Sequence, residues 1–273
     1  FIRIPPSALT AAFAGVDVLF LISYPSHVRD YRVQVQLPAI DAARRAGVSH
    51  IFYSSLAFCG AKENDVSSAE VMQAHLATEA YLARLAAADS GFTYTVVREG
   101  LYAESTPIYT AFFKPTGGSD GRREKEVEEV LIPHDGEGPG VAWVARDELG
   151  EATARLIARY VAAAAGGGPS FPWVNGRVLL TGEKVWSLKE TVEALSKVAG
   201  RKVKIREVSV EEYVGLPEVK AVFGEDGVKA RTWATAWEAI RAGETAVVSG
   251  ELEEILGRKP RGFEEVLEEC WRR

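Results

Sequence analysis

The chain has 273 residues, 47% hydrophobic and 26% charged, with a net charge of −6. That is enough apolar material for one large core, or for a main domain with a smaller satellite. Charges of both signs are dispersed, so the chain lacks the basic stripe that nucleic acid requires. No apolar run approaches the ~20 residues of a membrane-spanning helix. Cys59 and Cys270 are too few and too distant for a disulfide framework. His27, His50, His75 and His134 lack the spacing of metal ligands. No charged-then-apolar leader pattern opens the chain, and a cytoplasmic location is expected.

Short apolar runs alternate with helical patterns, the rhythm of βαβ units around a parallel sheet. Asp17 to Ser23 (DVLFLIS) is continuously apolar, as a strand covered on both faces should be. Asp30 to Ala46 places Val33, Leu37, Ile40 and Arg44 at helical spacing and ends at Gly47, a natural helix terminator. Pro38 inside it is expected to kink the helix or begin a fresh turn. His50 to Leu56 reads as a second strand. Ser68 to Ala88 reads as a helix with Val71, Met72, Leu76, Leu82 and Leu85 inward, and Tyr94 to Arg98 as a third strand. Parallel strands joined by right-handed helical crossovers give a Rossmann-type layer.

After Gly100 the rhythm breaks. Residues 114–140 surround a charged run, Arg122 to Glu129, with glycine and proline; the run reads as a solvated helix face or loop. A helix is expected from Asp147, as its N-cap, through Tyr160. Ala162 to Gly168 (AAAAGGG) reads as a flexible connection. Arg177 to Gly182 is another strand. Ser187 and Glu190 form a capping box opening a helix to Ala199, closed by Gly200. Lys202 to Val208 alternates as a half-buried strand, and Ser209 with Glu212 is a second capping box. From Tyr213 the tail is helical and rich in Trp and Glu, expected against the substrate side. The expected division, implied by the family resemblance given next, is 1–113 plus 141–165 as an incomplete nucleotide-binding domain. Residues 114–140 plus 170–273 then form a smaller α/β substrate-side subdomain and helical tail.

Several segments carry a family resemblance. They are GVDVLFLISYP around Asp17 to Ser23, AGVSHIFYSSL (Ala46 to Leu56), and HLATEAYL followed by FTYTVVREGLYAE (His75 to Leu82, Phe92 to Glu104). In that order and spacing the chain resembles the NmrA-like branch of the short-chain dehydrogenases, especially the type 2 NAD(P)H:quinone oxidoreductases. Val178 to Tyr213 extends the likeness. The resemblance implies a Rossmann-like doubly wound parallel sheet, NADP or NAD as cofactor, and hydride transfer to a small-molecule acceptor, a quinone or enone-like carbonyl. Two alternatives stand beside it: a non-catalytic NAD(P)-sensing regulator, and a truncated form with little cofactor affinity.

Ligands of open α/β sheets bind beyond the carboxyl ends of strands, where the strand order switches. Ser23 and Tyr24, Ser54 and Ser55, and Glu99 end the three strands and are the expected cofactor-binding residues. For Ser54 and Ser55 the alternative is local hydrogen bonding that ends a strand. His75 and Glu79 share a helix face and can touch. By the resemblance, His75 occupies the position where many relatives carry a lysine. It is expected to bind the nicotinamide ribose or polarise a carbonyl; the other reading is a half-buried histidine held by Glu79. Tyr102, as a catalytic residue, and Glu104 are expected to line the acceptor site, with an aromatic core edge as the alternative for Tyr102. His27 and Arg29 follow the first strand and could face a cofactor phosphate.

A glycine-rich turn between a strand and a helix, the signature of pyrophosphate binding, does not occur. By the resemblance it belongs before Phe1, with Phe1 to Ile4 as the third strand of the family sheet and Ser7 to Phe13 its short helix. The chain begins with Phe1 and its one methionine is Met72, so the first βαβ unit is expected to be missing. In the order 3-2-1-4-5-6 that leaves the outer edge of Asp17 to Ser23 unpaired. Cover is expected from a second copy by strand-edge pairing, a swapped segment or a rearranged N-terminus.

Overall fold

The computed structural model describes residues 6–26, 28–115 and 127–271. The expectations for Phe1 to Ile4, for His27 and for residues 122–126 of the charged run lie outside the described residues. A parallel four-stranded sheet holds β1 (Val18–Ile22), β2 (His50–Leu56), β3 (Thr93–Glu99) and a strand at Gly176–Leu180. A second parallel pair joins β4 (Val127–Ile132) to a strand at Lys202–Glu207. In chain order the strands at Gly176 and Lys202 are β5 and β6, and the large sheet runs β1-β2-β3-β5.

Helices cover both faces of the large sheet. After α1 (Pro6–Ala12), α2 (Arg29–Arg45) and α3 (Glu70–Ala88) lie on one side. There Ile40 and Leu82 pack with Leu21, Ile51 and Tyr53. The short helix α4 (Thr106–Tyr109) precedes α5 (Arg146–Ala164), which lies on the other side. On that side Leu149 and Leu156 pack with Phe20, Phe52, Val97 and Val178. The strand period of two explains the split, since Leu21, Tyr53 and Val96 share one face while Phe20, Phe52 and Val97 point to the other. The satellite core gathers Trp143, Tyr213, Trp233 and Trp237. It uses α6 (Leu188–Ala199), α7 (Val210–Gly215), α8 (Pro217–Phe223) and α9 (Val228–Arg241), with α10 (Glu251–Leu256) and α11 (Phe263–Trp271) completing the chain. No described helix is long and apolar enough to cross a membrane.

Local signals hold where they are strongest. Gly47 is left-handed at φ +100° after α2, and Ser187 with Glu190 forms the reciprocal box at α6, which Gly200 closes. Pro38 lies inside one uninterrupted α2. Several expectations are corrected. β5 pairs with β3 in the large sheet, so residues from 170 onward do not all belong to the substrate side: α5 carries the chain back to the start of a parallel neighbour. Val127 to Glu129 is strand, not helix face or loop, and opposite charges across the pair favour it: Glu128 meets Arg201 at 2.6 Å and Glu129 meets Lys204 at 3.1 Å. Asp147 lies within α5, which starts at Arg146, and Ala162 to Ala164 continue that helix. Ser209 accepts from the Glu212 amide, but the Glu212 carboxylate accepts from Arg206 at 3.0 Å instead of closing a box.

Two backbones cross where no Cβ fits: one at Gly182 would collide with the Trp143 carbonyl oxygen. Gly182→Ala is expected to cost about 3 kcal/mol, the upper range for overpacking, read as a lower urea midpoint. Along the outer edge of β1 no strand pairs among the described residues, and Ile22 there is 68% exposed.

Candidate functional site

The carboxyl ends of β1, β2 and β3 bring the expected residues together in three groups instead of one hollow. Consecutive residues of a strand face opposite sides, so Tyr53 and Ser55 point toward α2 and α3 while Ser54 points toward α5.

On the α3 side, Ser23, Tyr53 and His75 join one buried polar network with Arg32, Gln36 and Thr78. Ser23 Oγ donates to Gln36 Oε1 at 2.8 Å and accepts from Arg32 Nη2 at 2.5 Å and from Tyr53 Oη at 3.3 Å. Gln36 Oε1 also accepts from the Tyr24 amide at 2.8 Å, and Gln36 Nε2 donates to Thr78 Oγ1 at 2.8 Å. Arg32 Nη2 lies 2.7 Å from His75 Nε2, and His75 Nδ1 lies 3.1 Å from Tyr53 Oη. Burial, with the charges of Arg32 and Arg98, holds His75 well below the ordinary histidine value. Both ring nitrogens are therefore engaged within the protein, and so is the Ser23 hydroxyl. The Tyr24 ring is 43% exposed and packs edge-on against Tyr31 at 5.3 Å.

Glu79 holds a different group, not His75. Its carboxylate accepts from Ser55 Oγ at 2.6 Å, from Arg98 Nη2 at 2.7 Å and from Arg177 Nε at 3.0 Å. Arg98 also donates to the carbonyls of Lys62 and Asn64 at 3.2 and 2.9 Å. Arg177 pairs with Asp65 as well. Ser55 is thus the sealed inner member of an ion cluster that fastens the loop after β2 to the sheet.

On the α5 side lies an open groove of about 340 Å³. Phe20, Ile22, Leu149 and Ile157 form its apolar walls, and Ser54, Glu99, Tyr102, Arg146 and Thr153 its polar lining. Tyr102 Oη donates to Glu99 Oε2 at 2.8 Å. Burial raises the Glu99 carboxyl, while hydrogen bonds from Tyr102 and Ser54 partly offset the shift. Burial and the neighbouring Glu99 raise the Tyr102 phenol. Thr153 Oγ1 is buried without a hydrogen-bond partner among the described residues. Glu104 accepts from the Arg146 amide at 3.1 and 3.2 Å, so it satisfies the first turn of α5 that Asp147 was expected to cap. Of the expected residues, Ser54, Glu99 and Tyr102 line this groove; Ser23, Ser55 and His75 do not.

Arg32, Gln36, Tyr53 and Thr153 were missed from sequence. The signal available was Arg32 and Gln36, two polar residues at four-residue spacing with Ile40 on the inward face of α2.

Among the described residues three histidines are buried, His50, His75 and His134. Between the Thr93 and Thr95 hydroxyls, burial pushes His50 down to about 4, and His75 and His134 are lowered as well. An unfolded chain takes up these protons near pH 6.5 and the native one does not, so stability is fully present above that pH and falls below it. The slope is about 1.4 kcal/mol per pH unit for each histidine. Urea midpoints at pH 7.5 and 5.5 are expected to differ accordingly; equal midpoints would contradict this.

The model of the NmrA-like family matches residues 6–225. The chain is 34% identical over 257 residues to an NmrA-like family domain-containing oxidoreductase, flvB, of Aspergillus flavus, across 93% of this chain and 73% of that protein. It is 32% identical over 219 residues to quinone oxidoreductase 2 of Escherichia coli, across 78% of this chain and 64%, under two thirds, of that protein. Among solved structures, triphenylmethane reductase of Citrobacter sp. complexed with NADP(H) matches with a TM-score of 0.68 at 27% identity, covering 97% of this chain and 80% of that one.

Proposed function

Because the chain belongs to the NmrA-like family, we propose that it is an NAD(P)H-dependent oxidoreductase that passes hydride to a quinone or another enone-like carbonyl. The observation that carries this reading is the groove between the sheet and α5. It lies at strand carboxyl ends, has apolar walls, and is lined by Thr153, whose buried Oγ1 has no hydrogen-bond partner among the described residues. The relatives named a quinone oxidoreductase and a reductase complexed with NADP(H) support it. Bound there, the nicotinamide would supply the hydride, the protein contributing orientation and electrostatics.

The groove's residues suit the nicotinamide riboside half. Glu99 is an acceptor for carboxamide N–H groups, and the Ser54 and Thr153 hydroxyls are partners for ribose. Phe20 and Ile157 exclude water from the ring. Tyr102, kept a neutral phenol by burial and Glu99, donates to Glu99 in the free protein and would turn that proton to the acceptor's oxygen once a ligand N–H takes its place on the carboxylate. Tyr24 at the exposed end of β1 remains open to a ligand, and Glu104 fixes Arg146 at the groove's rim. His75 supports the strand ends from the opposite face.

Oxidation of NADPH and NADH should be followed across a panel of quinones. Turnover with at least one acceptor is expected, and absence of both turnover and cofactor binding would end the proposal. One observation favours a nucleotide-sensing regulator instead: both His75 nitrogens are engaged. Binding without turnover would select that reading.

A further inference from the structure

We infer that Arg32 is a positioning residue that fixes His75 as the neutral Nδ1–H tautomer and, through it, directs the Tyr53 hydroxyl proton toward Ser23 at the end of β1. A guanidinium carries only donors. At 2.7 Å from Arg32 Nη2, His75 Nε2 must therefore accept, which leaves the ring proton on Nδ1. Nδ1–H then donates to Tyr53 Oη, 3.1 Å away, and the Tyr53 proton goes to Ser23 Oγ. Ser23 in turn donates to Gln36, so the chain has a single direction from end to end.

Arg32 is 4% exposed, and among the described residues its guanidinium meets a carbonyl (Val71), a hydroxyl (Ser23) and an imidazole, but no carboxylate. Its Nε is buried and has no partner among the described residues. A buried cation without a counter-charge costs stability, so stability alone does not account for it. Its identifiable effect is on His75. The groups facing that ring are Arg32 from α2, Tyr53 from β2 and Arg98 from β3, with Thr78 and Glu79 on the next turn of α3. Both nearby cations oppose an imidazolium.

The bearing of this device on turnover rests on the proposed oxidoreductase reading; its test does not. Imidazole nitrogen chemical shifts would be recorded from pH 8 to 5 on the full chain, with His75 assigned by loss of its signal in His75→Gln. The wild type is expected to show Nδ1–H and no titration of His75 across that range. Arg32→Met should lower the Nδ1–H to Nε2–H ratio about tenfold, the worth of one hydrogen bond, and bring His75 into titration. Arg32→Lys, which keeps a donor, should restore the wild-type tautomer. A wild-type ring protonated on Nε2, or titrating near 6.5, would overturn the inference even if Arg32→Met did not fold. An Arg32→Met spectrum identical to wild type would also overturn it. Normal shifts alongside absent turnover would count against the proposed activity only.

Discussion

Glu79→Ala is expected to cost about 3–5 kcal/mol of stability, because it strips the buried Arg98 of its close carboxylate. The Arg98 side chain is fully buried, and Glu79 supplies its buried carboxylate at 2.7 Å. Asp65, the other acid within reach of Arg98, is 4.0 Å away and 68% exposed. Arg177 and Ser55 lose the same acceptor. The loop carbonyls at Lys62 and Asn64 would then be held by a cation whose remaining acid, Asp65, is distant and exposed. Glu79→Gln keeps the shape and one acceptor and should cost less. Pairing Glu79→Met with Arg98→Met should recover part of the loss, since removing both charges abolishes the desolvation penalty. Urea denaturation reads all of these. A Glu79→Ala protein within 1 kcal/mol of wild type would mean that the cluster is screened by water.

The second large effect is expected at the groove. Glu99→Ala should weaken NADPH binding by about 1.5–3 kcal/mol, tenfold or more, as for a hydrogen bond to a charged group. It should leave stability unchanged or raised, because burial already disfavours the Glu99 carboxylate. Thr153→Val is the diagnostic companion. Its hydroxyl is buried with no partner among the described residues, so replacing it by a methyl of similar shape should stabilise the protein by about 1 kcal/mol. If the hydroxyl meets the ligand, the same change should also weaken binding. Stability and affinity moving in opposite directions would mark a residue kept for binding; calorimetry and denaturation measure both.

Much of the fold was legible because its signals are local. The apolar run ending at Ser23, the alternation at Lys202 and the boxed helix start at Ser187 each concern neighbours within a few residues. The place of β5 beside β3 depends on where a crossover returns, and the strand at Val127 depends on charges that only its partner β6 supplies. At the site, residues expected around one hollow face different sides of the sheet. Ser54 and Ser55 are adjacent, and adjacency in a strand puts one against α5 and the other against Glu79. Glu104 looked like cleft chemistry and is engaged by a helix end. Arg32 escaped notice because arginine is almost never buried unless paired, and only the tertiary fold brings it to His75.

The central claim is that the nicotinamide half of a cofactor enters the groove between the sheet and α5. Titration with reduced nicotinamide mononucleotide, followed by backbone amide shifts, tests it most directly. Changes are expected at Ser54, Glu99, Tyr102 and Thr153. Changes confined to Ser23, Tyr53 and His75 on the opposite face, or none at all, would contradict it.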